Sequence, residues 1–159
     1  MLNVADIRFS FQDGFGEPSL VIYFQGCKFH CKGCHNPELW DFEPKNIYTP
    51  EELIQEVNQN KEFYDTVVLL GGEPLHQDLN SLTEFLKLLK QNQYKVILYT
   101  GYELKELKKY KFLEYVDIIK CGQYIEELKT DSFPASSNQK VYINKGGAFQ
   151  DVTNTIYYR

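Results

Sequence analysis

The sequence predicts an α/β domain whose sheet is mainly parallel, assembled from βα units and left open as an incomplete barrel. Three observations lead there. The short apolar runs TVVLL, KVILYT and VDIIK have the character of strands covered on both faces. Segments with helical spacing of apolar residues lie between them. And 159 residues fall well short of the roughly 250 that a complete eight-unit barrel takes. No linker, repeat or low-complexity stretch divides the chain, so residues 1–159 are read as one domain.

Taken in order, ADIRFSF and SLVIYFQ read as a strand pair around the turn DGFGEP, the second strand running straight into a group of cysteines. Thr49-Pro50-Glu51-Glu52 offers an N-cap, a proline at the first helical position and a glutamate at the third, ahead of Leu53, Ile54 and Val57. TVVLL follows and ends at Gly71-Gly72-Glu73-Pro74. From about Asp78 to Gln93, Leu79, Leu82, Phe85, Leu86 and Leu89 form one apolar stripe. KVILYT is then a buried strand, ELKELKKYKFLEY a charged amphipathic helix, and VDIIK another buried strand. Val141 and Ile143 suggest a last strand, and the tail from Lys145 to Arg159 reads equally as loop or edge strand. In such a sheet the binding edge lies at the carboxyl ends of the parallel strands. The cysteine loop, GGEP, Tyr99-Thr100-Gly101-Tyr102 and Lys120-Cys121-Gly122 all follow strands, and are expected to share that edge.

Composition narrows the function. A net charge of −5 argues against a surface built to neutralise phosphates, so no nucleic acid is expected as a partner. No apolar run approaches the ~18 residues that span a bilayer, so no membrane association is expected. The opening MLNVADIRFS lacks the basic region and apolar stretch of a signal peptide. A cytoplasmic location is expected. Three of the four cysteines fall within eight residues, a crowding that suits a shared metal better than disulfides linking distant segments.

Cys27, Cys31 and Cys34 have the spacing C-x3-C-x2-C, which bends a short loop so that three thiolates converge. Three protein ligands on a four-iron cubane leave one iron free to bind a small molecule directly. A zinc site made of these cysteines with His30 or His35 reads the same residues differently, as do three unrelated buried cysteines. GGEP is in isolation a turn whose glycines relax the backbone. Beside a ligand, those glycines let the main chain approach, and Glu73 can accept a hydrogen bond from an ammonium group.

The cysteine spacing together with Gly71-Gly72-Glu73 resembles the radical S-adenosylmethionine superfamily. More narrowly, FQGCKFHCKGCHNPELWDF, LLGGEPL, LYTGYELKEL, YVDIIKCGQY and SSNQK recur in similar order in the activating components of anaerobic ribonucleoside-triphosphate reductases. The resemblance implies a 4Fe–4S cluster on Cys27, Cys31 and Cys34, with S-adenosylmethionine chelated at the open iron. It implies reductive cleavage of that cofactor, followed by hydrogen abstraction from a backbone glycine of a large reductase subunit. Cluster potentials span roughly −700 to +450 mV and this chemistry needs the low end, so a flavodoxin-like electron donor is implied as well. By the same resemblance Gly71, Gly72 and Glu73 lie at the methionine end, Gly33 and His35 beside Cys34 on the adenine side, and Thr100 near the ribose. Two positions depart from the pattern. Gly33 stands where many such enzymes carry an aromatic residue, and Cys121 stands where similar activases carry aspartate. Cys121 is either an inert packed residue or a lining of the radical cavity. Trp40, Phe42, Tyr99 and Tyr102 read as core or rim aromatics. Two other functions fit fewer of these features: a small-molecule radical enzyme resembling 7-carboxy-7-deazaguanine synthase, and a zinc-binding adaptor.

Overall fold

A hairpin opens the fold, as the alternation of its residues requires. In the computed structural model, which describes residues 1–155, β1 (Leu2–Ser10) pairs antiparallel with β2 (Ser19–Phe24). A three-residue strand that the sequence did not announce, β3 (Asn46–Tyr48), pairs with the far side of β1. Helix α1 (Pro50–Asn58) starts at the capping box expected of Thr49 and Glu52, with both reciprocal hydrogen bonds present. Strand β4 (Thr66–Gly71), helix α2 (Leu79–Gln91) with Asp78 as its N-cap, and strand β5 (Lys95–Thr100) follow. The chain continues through α3 (Leu104–Leu107), β6 (Ile118–Cys121), β7 (Lys140–Lys145) and β8 (Ala148–Asp151).

All eight strands join one sheet in the order β3-β1-β2-β4-β5-β6-β7-β8. Its two ends, β3 and β8, do not meet, so the sheet is open as expected. The expectation of a mainly parallel sheet needs correction: the pairings β2–β4, β4–β5 and β5–β6 are parallel, and the four outer ones are antiparallel. Connection length accounts for the two hairpins, β1–β2 and β7–β8. A parallel pairing needs a crossover of a dozen or more residues, whereas β7 returns to β8 through Gly146-Gly147, both at positive φ as a two-residue hairpin turn demands. That strand resolves the ambiguous tail as an edge strand over Ala148–Asp151, while residues 156–159 lie outside the described residues.

The helix expected over ELKELKKYKFLEY is also shorter than its pattern suggests. It stops after Leu104–Leu107, and a single tight turn over Lys111–Tyr115 replaces its second half. Leu107, Phe112 and Leu113 are all buried, yet five- and six-residue spacings cannot share one face of a 3.6-residue helix. Breaking the helix at Tyr110, whose backbone is extended, turns all three toward the core.

Helices α1 and α2 cover one face of the sheet, where Leu53, Val57, Leu82, Phe85 and Leu89 pack against Ile22, Phe24, Val67, Leu69, Val96 and Leu98. The opposite face carries a smaller cluster of Val21, Val68, Leu70, Ile97, Ile118, Val141 and Val152. Among the described residues, no helix is long and apolar enough to cross a membrane.

Candidate functional site

The four central strands point the same way, so their carboxyl ends deliver four loops to one edge. A pocket of about 350 Å³ opens there, between the cysteine loop after β2, Gly71-Gly72-Glu73 after β4, Thr100-Gly101 after β5 and Lys120 near the end of β6. Segments far apart in sequence thus meet as the strand-end reading expects.

The seam between the cysteine loop and β4 is made of main-chain groups. Gly72 N–H donates to Phe24 O at 2.9 Å, and Glu73 N–H donates to Gly26 O at 2.9 Å. On the other flank Gly26 N–H donates to Leu39 O and Cys27 N–H to Trp40 O. Gly72 is required by closeness, since a Cβ there would stand 2.4 Å from Gly26 O and 3.0 Å from Leu39 O, both backbone atoms. Gly71 is required by conformation, with φ at +116°. Buried Gln25, whose amide donates to Glu38 O and Asp41 O, fixes the return of the same loop.

Glu73 is only 2% exposed. Its Oε1 accepts from Gly101 N–H at 2.6 Å, and its Oε2 accepts from Leu75 N–H and from the Thr100 hydroxyl at 2.8 Å. The side chain therefore braces the ends of β4 and β5 rather than standing free. Burial pushes its carboxyl up to about 7, against the pull of the Gly101 and Leu75 N–H groups and the Thr100 hydroxyl. The Thr100 hydroxyl, expected near a ribose, donates to Glu73 and accepts from Tyr102 N–H.

Cys27, Cys31, Cys34 and His35 all line the pocket, but Gly33 does not. At φ +75° Gly33 makes the turn before Cys34 and backs onto Glu126, where a Cβ would lie 2.9 Å from the carboxyl carbon. Burial raises the Cys27 thiol above its ordinary value, and also raises Cys31, to which the neighbouring Cys34 adds. An aromatic group anchors the loop from below: Phe29 packs against His76 and Tyr102, each with ring centroids at 5.0 Å. Lys28 N–H donates to His76 Nδ1, which leaves His76 Nε2 to carry the hydrogen shared with the Tyr102 hydroxyl at 2.9 Å. His30, at positive φ, stacks its ring on Trp40 at 4.6 Å. Cys121 points the other way, into the helix-covered core, at 3% exposure and with burial raising its thiol to about 11. It lines no part of the pocket, which favours the inert reading.

A profile described as a 4Fe-4S single cluster domain matches residues 13–142. The chain belongs to the 4Fe-4S single cluster domain family. Among curated relatives of this 4Fe-4S domain, the anaerobic ribonucleoside-triphosphate reductase-activating protein of Enterobacteria phage T4 is 26% identical over 137 residues, covering 82% of this chain and 87% of that protein. Its namesake in Escherichia coli K12 is 26% identical over 134 residues, covering 77% and 86%. The pyruvate formate-lyase-activating enzyme of Clostridium pasteurianum is 37% identical over 75 residues, 45% of this chain and 31% of that enzyme. Among solved structures, QueE from Escherichia coli aligns with a TM-score of 0.55 and 21% identity over 63% of this chain and 52% of that one. This last likeness is one of fold.

The residues of this 4Fe-4S single cluster domain suit such a group. Three soft sulfur donors face one pocket, and the remaining cysteine of the chain faces away from it. The sulfurs share the pocket without being gathered on a point: among the described residues, no three His, Cys, Asp or Glu side chains form a group able to hold one metal ion. A tetrahedral zinc, with bonds of about 2.3 Å, needs its sulfurs within about 4 Å of each other, and that arrangement is not preformed.

Two residues of the 4Fe-4S domain's pocket received no role from the sequence: Lys120, expected at the binding edge only as part of a strand end, and Trp40, expected as a core or rim aromatic. Lys120 enters it with no hydrogen bond or ion pair among the described residues, its ammonium over the Tyr99 ring at 5.4 Å, and burial drawing its pKa down to about 8. A signal was present, since Lys120 is a charge inside an apolar strand flanked by residues of the opposite face. Trp40 also lines the pocket, and its indole N–H is buried with no hydrogen-bond partner among the described residues.

Proposed function

We propose that this protein is a glycyl-radical activase. It holds a 4Fe–4S cluster on Cys27, Cys31 and Cys34, binds S-adenosylmethionine beside it, and generates a glycyl radical on an anaerobic ribonucleoside-triphosphate reductase. The observation that carries the reading is the main-chain seam joining the three-cysteine loop to Gly71-Gly72-Glu73 across one pocket. The relatives that cover about four fifths of the chain, named as reductase-activating proteins, support the choice of partner.

Held by Cys27, Cys31 and Cys34, the cluster would supply the low-potential electron for reductive cleavage of the sulfonium cofactor, the chemistry that radical formation on the partner's glycine requires. The protein positions and shields. Gly71 and Gly72 bring bare backbone up to the methionine end, while Glu73 keeps that backbone in shape. The Lys120 ammonium, without a hydrogen bond or ion pair among the described residues, brings a positive charge into the pocket, suited to the cofactor carboxylate. His35, beside Tyr124, stands on the adenine side. The open sheet leaves room for a macromolecular substrate, and a flavodoxin-like protein in the cytoplasm would supply the electron.

A small-molecule enzyme resembling 7-carboxy-7-deazaguanine synthase has less support, because the relatives matching most of the chain are named for activating a protein. The decisive experiment incubates anaerobically reconstituted, reduced protein with S-adenosylmethionine and the large reductase chain. The expected result is a glycyl doublet in electron paramagnetic resonance. Iron-loaded protein that cleaves the cofactor but yields no doublet sinks the activase reading, and colourless protein carrying one zinc and no iron favours the adaptor.

A further inference from the structure

Trp40 is the chain's single tryptophan. Its carbonyl accepts from Cys27 N–H at 3.0 Å, and its ring stacks on His30 at 4.6 Å with the planes 13° apart. Stacking covers the ring face, whereas the indole N–H lies in the ring plane. His30 is therefore not its partner. That N–H is buried from solvent and bonded to nothing among the described residues. A buried donor without an acceptor is uncommon, and it points to a ligand or ion that completes it.

Solvent does not reach this N–H, so its acceptor arrives only when the site is loaded. The loop packed around Trp40 carries three thiols that are not yet gathered. A thiol is a weak acceptor, whereas a thiolate on iron carries negative charge and accepts strongly. Closing the loop on a cluster therefore creates the missing acceptor beside the unsatisfied donor.

We propose that in the loaded protein the Trp40 indole N–H donates a hydrogen bond to a cysteine sulfur of the cluster loop, and that this bond raises the cluster's reduction potential. The inference rests on the reading of Cys27, Cys31 and Cys34 as cluster ligands. Its sign follows from charge: reduction adds an electron to the cluster, and a donor at sulfur stabilises the more negative state. Trp40 acts through the sulfur and is a positioning and tuning residue.

Two measurements on the full-length, reconstituted protein test it. With 15N-labelled indole, the single tryptophan gives an unambiguous probe, and pulsed electron paramagnetic resonance of the reduced cluster should show one 15N coupling together with an exchangeable proton. Trp40→Phe keeps an aromatic ring against His30 and removes the N–H together with part of the bicyclic indole. At a fixed potential its ratio of reduced to oxidised cluster should fall about tenfold, which is about 59 mV for a one-electron couple. Absence of the 15N coupling in the wild type, or an unchanged midpoint in a Trp40→Phe variant with full iron content, overturns the proposal. Should that variant not load iron, the labelled wild-type spectrum alone decides. A wild type that takes up no cluster is a different failure and overturns the cofactor reading beneath.

Discussion

The two faces of the sheet are built from the same strands and do opposite things. On β6, Ile119 and Cys121 enter the helix-covered core, while Ile118 and Lys120 face the other side. On β5, Val96 and Leu98 pack under the helices, whereas Ile97 and Tyr99 look toward the pocket side. The helical face is apolar up to Thr100 at the end of β5, whose hydroxyl meets Glu73, and it holds the fold. The other face is apolar only at its centre and turns polar at the strand ends, where Lys120 stands. Alternation within one strand thus separates stability from chemistry by a single residue step.

Substitutions on each face should break that division or sharpen it. The largest loss is expected on the helical face. Phe85→Ala removes a fully buried ring and should cost about 3–5 kcal/mol in denaturant unfolding, while the folded fraction keeps its affinity for S-adenosylmethionine. Equal losses of stability and affinity would show that the two faces are coupled. At the border, Glu73→Gln should cost about 1–3 kcal/mol, because an amide nitrogen cannot accept from the N–H groups that meet the carboxylate. Glu73 also sets a pH dependence. Its folded value is raised from the ordinary 4.5 to about 7, so the native state holds the proton longer than the unfolded one. Its contribution to stability is full below 4.5 and is lost as pH rises through about 7. Comparing unfolding of cluster-free wild type and Glu73→Gln across that range should show the extra slope in the wild type alone. The smallest effect on stability belongs to Lys120→Met. Removing a desolvated ammonium that has no ion pair among the described residues should leave the melting midpoint unchanged or raise it, yet calorimetric affinity of the loaded protein for S-adenosylmethionine should fall about tenfold to a hundredfold. A destabilised Lys120→Met with unaltered affinity would reverse the assignment of that face.

The helical face was also the legible one. Leu53, Ile54 and Val57, and Leu82, Phe85, Leu86 and Leu89, are buried where helical spacing puts them, because that pattern is local. What failed was long-range or conflicted. The antiparallel flanks depend on which strands meet across the sheet, and β3 is too short to show a period. The segment after Glu103 has helical spacing through Leu104 and Leu107, but Phe112 and Leu113 demand a break that only the packed core reveals. At the site, Cys27, Cys31, Cys34, His35, Gly71, Gly72, Glu73 and Thr100 share the expected pocket. Their partners were not readable: that Glu73 meets Gly101 and Thr100, and that Gly33 faces Glu126, are contacts between distant segments. Trp40 looked like an ordinary rim aromatic because a missing hydrogen bond leaves no trace in composition.

The seam that seats the cysteine loop on β4 consists of peptide groups, from Phe24 and Gly26 to Gly72 and Glu73. Such a joint is indifferent to most side chains. Exposed Lys28 and Lys32 can therefore be exchanged over generations without unseating the sulfurs, and under the proposed function that rim is free to track a changing partner. The two glycines have no such latitude, so drift in this lineage should run around them.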